Sequence, residues 1–401
     1  PPLSNHLSLR GYDIFNNMAH DPRPLIYLNN AATSWPKPPA VSEAISHSLS
    51  LPVFGSGRTT GTQGEDYSTQ AREELSTLFG ADDPENIIFT HNATDSLNLL
   101  ISGFLAGQKE TCGVLATALD HNSVLRPLHE YQRMALLRLG ILPFEQGMIS
   151  PESVEEAIQK DTRLMVMTHA SNVLGSVQNI TAIGDILHDH GIYFIVDGAQ
   201  TAGHIPIDLR HLPVDAFVFT GHKALFGVPG TGGFYVRDPS AISPVKFGGT
   251  GTDSQSLFHP RDMPERFEAG TQNYPGLAAL TAGVRFIKEK GIPAIRDKAE
   301  KQSAYIIREF KKEEKITVYH ETPKVPVIAF NIRGLPNDDA GFILARAYNI
   351  ITRTGLHCAP LAHKIIDDGQ GCIRMSLSCL TTDEECRLAV EAAREIAQNA
   401  D

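Results

Sequence analysis

Apolar positions along the chain form short, strand-like runs that alternate with longer segments of helical spacing. A first short strand is predicted within 24–33, and further strand-like runs follow at 86–90, 112–119, 163–170, 192–200, 215–222 and 232–237. Segments with helical spacing lie at 38–50, 64–81, 93–105, 122–134 and 183–191. Nearly continuous apolar strands that alternate with amphipathic helices predict an α/β fold, with a mainly parallel sheet covered on both faces.

The pattern changes from about residue 276. Two long helical segments are followed by the strand-like runs "VPVIAFNI" and "CIRMSL" and by a last amphipathic helix, "DEECRLAVEAAREIAQ". This order predicts a smaller α+β domain at the C-terminus. With 401 residues, the chain is long enough for two cores. We therefore predict an N-terminal arm (1–35) that packs with the small domain, a large domain (36–275) and a small domain (276–401).

Charge and composition exclude several classes of partner. Lys and Arg total 35 against 46 Asp and Glu, a net charge of −11, which argues against nucleic acid and anionic membrane surfaces. The chain contains no apolar run of transmembrane length, and residues 1–20 do not have the pattern of a signal peptide. The five cysteines form no disulfide framework, which favours a reducing compartment. We expect a cytoplasmic protein.

Two polar residues occupy the strand ends at which an open α/β sheet binds its ligands. Asp197 ends the run "FIVD", and Lys223 follows the next strand in "TGHK". A pyridoxal-phosphate site requires a lysine that forms a Schiff base with the aldehyde, and an aspartate that keeps the pyridine nitrogen protonated. For either residue alone, a turn-capping aspartate or a surface lysine is the simpler interpretation. Together they predict a site for this cofactor.

An ordered set of motifs carries a family resemblance. They are "YLNNAAT", "THNATDSLN", "DHNS", "SNVLGSVQNI", "VDGAQTAGHIPIDL", "TGHKALFGVPGTGGFYVR", "RFEAGTQN" and "RTGLHCA". In this order, from about residue 26 to 380, they resemble the class V aminotransferases of PLP fold type I. Within that group they are most similar to the cysteine desulfurases and selenocysteine lyases with a short "RxGxHCA" loop. The resemblance implies a seven-stranded, mainly parallel sheet flanked by helices, and a homodimer.

The resemblance also implies which residues hold pyridoxal 5'-phosphate. A helix N-terminus at Ala93 and Thr94 would bind the phosphate. His121 would stack on the pyridine ring and exchange protons, although a lone histidine after a strand is usually structural. Gly270 and Thr271 would reach the phosphate from a second subunit, unless they form a simple turn. The full implied set is Ala93, Thr94, His121, Asn172, Asp197, Gln200, Thr220, His222, Lys223, Gly270 and Thr271.

A second implied set would bind the substrate. Arg374 lies on a predicted strand of the small domain, where a guanidinium can hold an α-carboxylate bidentately. A surface ion pair is the alternative for this arginine. The full implied set is Asn30, Ala31, Asn172, Arg353 and Arg374.

Three roles are possible for Cys358: metal ligand, buried apolar filler or nucleophile. The spacing of nearby histidines suggests no second ligand pair, so we predict no metal site. The segment is polar and turn-prone, which does not suit a filler. In the family pattern this position is the nucleophile that keeps sulfur as a persulfide, and nearby basic residues favour a thiolate.

The predicted activity is therefore that of a PLP-dependent cysteine desulfurase, with Lys223, Cys358 and His121 as catalytic residues. L-cysteine would be converted to L-alanine, and the sulfur would pass from Cys358 to an acceptor protein or a small thiol. The alternative is a selenocysteine lyase or another C–S lyase in which Cys358 does not carry sulfur. Leu356 and the "APLAHK" after the thiol depart from the best-known members, and they leave the substrate and acceptor open. The two remaining alternatives are a transaminase and a scaffold protein without catalytic activity.

Overall fold

The computed structural model describes residues 24–52, 65–252 and 254–400. Most of the predicted N-terminal arm, residues 1–23, lies outside the described residues, as do 53–64. Among the helices of the described ranges, none combines the length and the apolarity needed to cross a bilayer.

The strands and helices of these ranges follow the alternation predicted from the sequence. The strands are β1 (Ile26–Tyr27), β2 (Ile87–Thr90), β3 (Cys112–Thr117), β4 (Leu137–Leu142), β5 (Thr162–Thr168), β6 (Tyr193–Asp197), β7 (Ala216–Thr220), β8 (Gly232–Val236), β9 (Ile316–Val318), β10 (Val327–Ile332), β11 (Ile350–Ile351), β12 (Arg353–Gly355) and β13 (Cys372–Ser376). The helices are α1 (Pro39–Ser50), α2 (Tyr67–Phe79), α3 (Ala93–Ala106), α4 (Asn122–Arg133), α5 (Pro151–Ala157), α6 (Ile180–Asp189), α7 (Tyr274–Lys290), α8 (Ile292–Phe310), α9 (Asn337–Tyr348), α10 (Pro360–Ile366) and α11 (Asp383–Asn399).

The predicted seven-stranded, mainly parallel sheet is confirmed. Its strand order is β2-β8-β7-β6-β5-β3-β4, and only β8 runs antiparallel to its neighbours. The edge strand β4 was not predicted. Its sequence, LRLGIL, contains an arginine and a glycine, and its middle residues are partly exposed. An edge strand does not need the continuous apolar run of a central strand.

The small domain is built on a second sheet, of order β12-β13-β10-β9, in which all neighbours are antiparallel. The chain after residue 24 packs on this domain, since β1 pairs with β11 and Asn29 bridges to Ser376. Helix α7 contributes Leu277 and Leu280 to the core of the large sheet. The domain boundaries at residues 35 and 275 stay predictions.

The strand register brings several loops to one edge of the large sheet. Thr90 and Thr220 both pair with Gly232, so the ends of β2 and β7 lie on either side of β8. Thr168 pairs with Asp197, which places the ends of β5 and β6 at the same edge. Because parallel strands present their carboxyl ends together, the loops that follow them surround one cleft.

Candidate active site

Lys223 and Asp197 meet at this edge, as predicted. The Asp197 carboxylate accepts a hydrogen bond of 2.9 Å from the backbone N–H of Ala199. Burial raises the pKa of Asp197, while that backbone N–H and the charge of Lys223 act in the opposite direction. Burial lowers the pKa of Lys223 to about 8, against the attraction of Asp197. The lysine therefore loses its proton at a lower pH than an exposed lysine, and the buried carboxylate suits a cationic partner.

A concave site that suits an anion, called the anion site below, lies between the start of α3 and the start of the turn that contains Lys223. Asn92 caps α3 by accepting a hydrogen bond from the backbone N–H of Asp95, at 3.0 Å. The hydroxyl of Thr220 and the Nδ1 atom of His222 are buried there without a hydrogen-bond partner among the described residues. A Cβ at Gly232 would lie 2.5 Å from the Asn92 Cα, so only glycine permits this close approach. Orphaned polar groups beside a helix N-terminus are what a phosphate requires.

His121 is connected to the anion site through two hydroxyl groups. Its Nδ1 atom accepts a hydrogen bond of 3.0 Å from the backbone N–H of Ser123, so the ring's proton is on Nε2. The Ser123 hydroxyl lies 2.8 Å from this Nδ1 and 2.7 Å from the hydroxyl of Thr94. Burial, followed by the charges of Lys223 and the nearby arginines, lowers the pKa of His121 to about 4. The imidazole is thus neutral and held in one tautomer.

Arg374 is almost completely buried and faces the cleft from β13. One of its terminal nitrogens donates to the carbonyl of Asn172 at 2.9 Å, and the other lies 3.3 Å from Asn29 Oδ1. Its Nε atom is buried without a partner among the described residues. Burial, together with the neighbouring charge of Arg353, lowers the pKa of Arg374 to about 9. An uncompensated buried guanidinium suits a carboxylate ligand.

Cys358 lies beside these groups on a tightly folded loop. Its sulfur is 3.7 Å from a terminal nitrogen of Arg353, and its backbone carbonyl accepts a hydrogen bond of 2.7 Å from the N–H of Asn122. The amide of Asn172 donates to the His357 carbonyl at 2.7 Å, which ties the loop to the large domain. His357 and Cys358 both have left-handed backbones, with φ of 51° and 58°. The structure thus brings together Lys223, His121, Arg353, Arg374 and Cys358.

The N-terminal residues predicted on the substrate side have structural partners. The Asn30 amide donates to the carbonyls of Tyr27 and Ser376, at 3.2 and 3.0 Å. The Ala31 N–H donates to the Ser376 hydroxyl at 2.9 Å, and its carbonyl accepts from the Gln200 amide at 3.2 Å. The roles of Asn30 and Ala31 in substrate binding, and of Gln200 in cofactor binding, stay predictions.

Gly270 and Thr271 lie near the start of α3, since they line one pocket together with Thr90 and Asp95. Together with Arg72 and Gly249 they line a second pocket. Glu268, two residues before Gly270, anchors this segment through a buried ion pair with Arg72, at 2.5 Å, and a hydrogen bond from the Phe89 N–H, at 2.6 Å.

Several residues of the site were not identified from the sequence. The buried carboxylate of Asp120 joins the ends of β3 and β5, because it accepts hydrogen bonds of 2.6 Å from the N–H groups of Thr117 and Thr168. Ser34 donates to the Lys223 carbonyl at 2.7 Å and thereby holds the lysine's turn. The motif "LDHNS" contained the signal for Asp120, a carboxylate directly after a buried strand. For Ser34, nothing in the local pattern indicated this long-range contact.

Comparison with known families and proteins shows the family to which this chain belongs. The family model described as "Aminotransferase class-V" matches residues 26–388. A probable cysteine desulfurase from Halalkalibacterium halodurans is 33% identical over 86% of this chain and 86% of the relative. A cysteine desulfurase from Cronobacter sakazakii is 31% identical over 90% of this chain and 91% of its own length.

Solved structures show the same relationship. The apo structure of a cysteine desulfurase from Thermococcus onnurineus is similar with a TM-score of 0.87 and 29% identity, over 93% of this chain and 95% of that one. The S-sulfonic acid form of the Escherichia coli cysteine desulfurase CsdA is similar with a TM-score of 0.86 and 25% identity, over 94% and 96% of the two chains.

Proposed function

We propose that this chain, which belongs to the class-V aminotransferase family, is a pyridoxal-phosphate-dependent cysteine desulfurase. It would convert L-cysteine to L-alanine and keep the sulfur as a persulfide on Cys358. Relatives named as cysteine desulfurases at 28–33% identity over most of the chain support this proposal. The observation that carries it is the position of the Cys358 thiol beside Arg353, at 3.7 Å, in the cleft of Lys223 and Arg374.

The residues present fit the cofactor. Its phosphate would use the N-terminus of α3 at Ala93 and Thr94 and the unpartnered polar atoms of Thr220 and His222. Its ring nitrogen would face the buried Asp197. When bound, pyridoxal phosphate supplies an aldehyde for the amine of Lys223 and a sink for electrons from the substrate. The protein's own contribution is to hold these groups in one cleft.

Substrate recognition rests on Arg374. Its guanidinium is positioned by the Asn172 carbonyl, and a carboxylate would satisfy the Nε atom that lacks a partner. Arg353 adds positive charge on the side of Cys358. The combination favours a small amino acid with its carboxylate on the arginine and its side chain directed to the thiol. Lys223, with a pKa of about 8, is the group that accepts the Cα proton on Nζ.

The sulfur step needs no external oxidant. The Cys358 thiolate attacks the substrate sulfur and forms the S–S bond of the persulfide. The substrate Cβ–S bond breaks, and its electron pair stays with the three-carbon fragment, which takes up a proton and leaves as alanine. Neutral His121, with its proton on Nε2, is available to exchange a proton with the reacting groups.

Assembly and sulfur transfer are further parts of this proposal. The family resemblance supports a homodimer in which Gly270 and Thr271 of each subunit complete the cofactor site of its partner. The persulfide would pass to an acceptor protein or a small thiol, because Cys358 is only half-buried. The five cysteines are free thiols, which is compatible with the predicted cytoplasmic location.

Mass spectrometry of the holoenzyme after incubation with L-cysteine tests the proposal. We expect a 32-Da adduct on the peptide that contains Cys358, the mass of one sulfur atom, roughly one per site. The Cys358→Ser variant should retain the cofactor's visible absorbance and form no adduct, whereas the control Cys379→Ser should behave as the parent. An adduct on another cysteine, or alanine formation that survives in Cys358→Ser, would contradict the role of Cys358. A parallel assay with selenocysteine distinguishes the alternative lyase.

A further inference from the structure

A group of three buried side chains lies directly behind the Cys358 loop and has no part in the activity proposed above. His357 Nδ1 and His363 Nε2 are 3.2 Å apart, and Cys372 Sγ lies 3.9 Å from His357 Nδ1. All three ligand atoms lie within 4.8 Å of one another. The residues are 2%, 0% and 0% exposed, so bulk water does not satisfy their polar atoms.

The outer nitrogens of both imidazoles face hydrogen-bond acceptors. His363 Nδ1 is 2.6 Å from Oδ2 of Asp367, whose side chain is 3% exposed, and His357 Nε2 is 3.2 Å from the Arg353 carbonyl oxygen. A carbonyl and a carboxylate can only accept, so each neutral imidazole must direct its single proton outwards. The two inner nitrogens then present lone pairs to each other. Two facing lone pairs in a buried site are stabilised by an electrophile, which is either a proton, such as that of the Cys372 thiol 3.9 Å from His357 Nδ1, or a metal ion.

Three observations favour a metal ion. A tetrahedral zinc ion with bonds of about 2.0–2.3 Å to N and S places its ligand atoms about 3.3–3.8 Å apart. Two of the three pairs here are separated by 3.2 Å and 3.9 Å, close to that spacing. Metal-bound histidines characteristically donate their second N–H to a carboxylate or a backbone carbonyl, as both do here. A sulfur ligand completes the set, since Cys372 Sγ lies 3.9 Å from His357 Nδ1.

We propose that His357, His363 and Cys372 bind a Zn²⁺ ion, with Asp367 and the Arg353 carbonyl orienting the two imidazoles. Binding releases the Cys372 thiol proton, because zinc takes the thiolate. Asp367 itself lies on the outer side of the His363 ring and is not one of the three grouped ligands.

The consequence of this site is structural support for the nucleophile's loop. The ligands come from the turn before Cys358, from α10 and from the start of β13, and an ion would join all three segments. His357 precedes Cys358, and both have left-handed backbones that L-residues adopt only when the surroundings enforce them. A zinc ion at His357 would hold that backbone and, through the Arg353 carbonyl, the arginine next to the thiol.

Metal analysis of the purified holoenzyme, produced in zinc-supplemented medium, tests this site. We expect one zinc ion per chain to remain bound after dialysis. Cys372→Ser and His363→Gln should each lose roughly all of this zinc. The matched control is Cys386→Ser, since Cys386 is also a buried small-domain thiol but lies outside the cluster. Retention of the cofactor's visible absorbance in each variant separates loss of metal from loss of fold.

Cobalt substitution identifies the ligands independently of activity. Co²⁺ bound by the parent should show visible d–d bands and a thiolate charge-transfer band, which Cys372→Ser abolishes and Cys358→Ser retains. The proposal would be overturned if the purified protein contained no zinc and took up no Co²⁺. It would also be overturned if ¹⁵N NMR showed His363 protonated on both nitrogens, because a shared proton would then occupy the place of the metal ion. Bands that disappear in Cys358→Ser would also overturn it, because the metal would then bind at the nucleophile. All of these outcomes are independent of persulfide formation.

Discussion

The backbone carbonyl of Cys358 accepts a hydrogen bond of 2.7 Å from the backbone N–H of Asn122. Asn122 is the first residue of α4, and His121 is that helix's N-cap. The loop of the proposed nucleophile is therefore docked on the residue next to the proposed ring-stacking histidine. A loop held in this way delivers its thiol by side-chain rotation rather than by a long excursion, and Arg353, in β12 just before the loop, stays beside it.

Replacing Arg374 by lysine should weaken binding of L-cysteine. Lysine keeps the charge but loses the planar fork, and loss of a charge-assisted pair of about 1.5–3 kcal/mol raises KM about 10- to 100-fold. Steady-state kinetics of Arg374→Lys measure this effect, with the half-exposed Arg296→Lys as a control of the same chemical change. An unchanged KM would place the substrate carboxylate elsewhere.

Thr220→Val should have opposite effects on the apoprotein and on cofactor binding. Because the Thr220 hydroxyl is buried without a partner in the part of the chain that the structure describes, its removal should leave the apoprotein unchanged or stabilise it by up to about 1–3 kcal/mol. Cofactor affinity should fall about 10-fold, the effect of one charge-assisted hydrogen bond. Thermal unfolding of the apoprotein and cofactor titration measure the two effects.

Thr201→Val is the matched control for this change. Its hydroxyl is 3.0 Å from His169 Nδ1 and also donates to the Gly198 carbonyl at 3.3 Å. This variant should therefore destabilise the apoprotein. Equal destabilisation by both substitutions would show that Thr220 is satisfied in the apoprotein and is not reserved for the phosphate.

The rate at which the apoprotein takes up pyridoxal phosphate should increase with pH. Only the neutral amine of Lys223 attacks the aldehyde, and since burial lowers its pKa to about 8, the rate should rise through a midpoint near that value. Removing the negative charge in Asp197→Asn should move the midpoint lower, because Asp197 raises the pKa of the lysine. Stopped-flow absorbance between pH 6 and about 10, the range that spans this titration, provides the measurement. A midpoint that moves upwards in Asp197→Asn would contradict the assigned pairing.

Buried histidines should make the folded chain sensitive to mild acid. Burial lowers the pKa values of His121, His169 and His222 to about 4, whereas histidine in an unfolded chain titrates at about 6.5. The unfolded state thus binds more protons between these values, and stability should fall as the pH decreases through that window. Asp120 acts in the opposite direction, because burial raises its pKa to about 7.

His169→Gln isolates one of these contributions while leaving a group that can still hydrogen-bond Thr201. The slope of unfolding free energy against pH should decrease by about 1 kcal/mol per pH unit between pH 4 and about 6.5. Denaturant unfolding at several pH values measures the slope. An unaltered slope would mean that His169 titrates in the folded protein as it does in the unfolded chain.

Local patterns were sufficient for the central strands and for the residues directly after them. Continuous apolar runs of strand length, each followed by a polar residue, predicted β5, β6 and β7 and with them Asp197 and Lys223. The edge strand β4 was missed because its exposed side needs no apolar residues. Roles such as those of Arg374 and Cys358 came from the resemblance, since nothing in an isolated strand or turn distinguishes a substrate-binding arginine from a surface one.

The remaining features of the site depend on strand register and on which distant segments of the chain pack together. Thr220 and Thr90 lie on either side of β8, and the Thr220 hydroxyl has no partner among the described residues, which no linear pattern shows. His357, His363 and Cys372 come together because β12 and β13 pair while α10 folds back between them. The sequence by itself determined which strands are buried and which polar residues end them, through the apolar pattern. The tertiary structure alone determined which of those polar groups face one another, because these contacts join residues far apart in the chain.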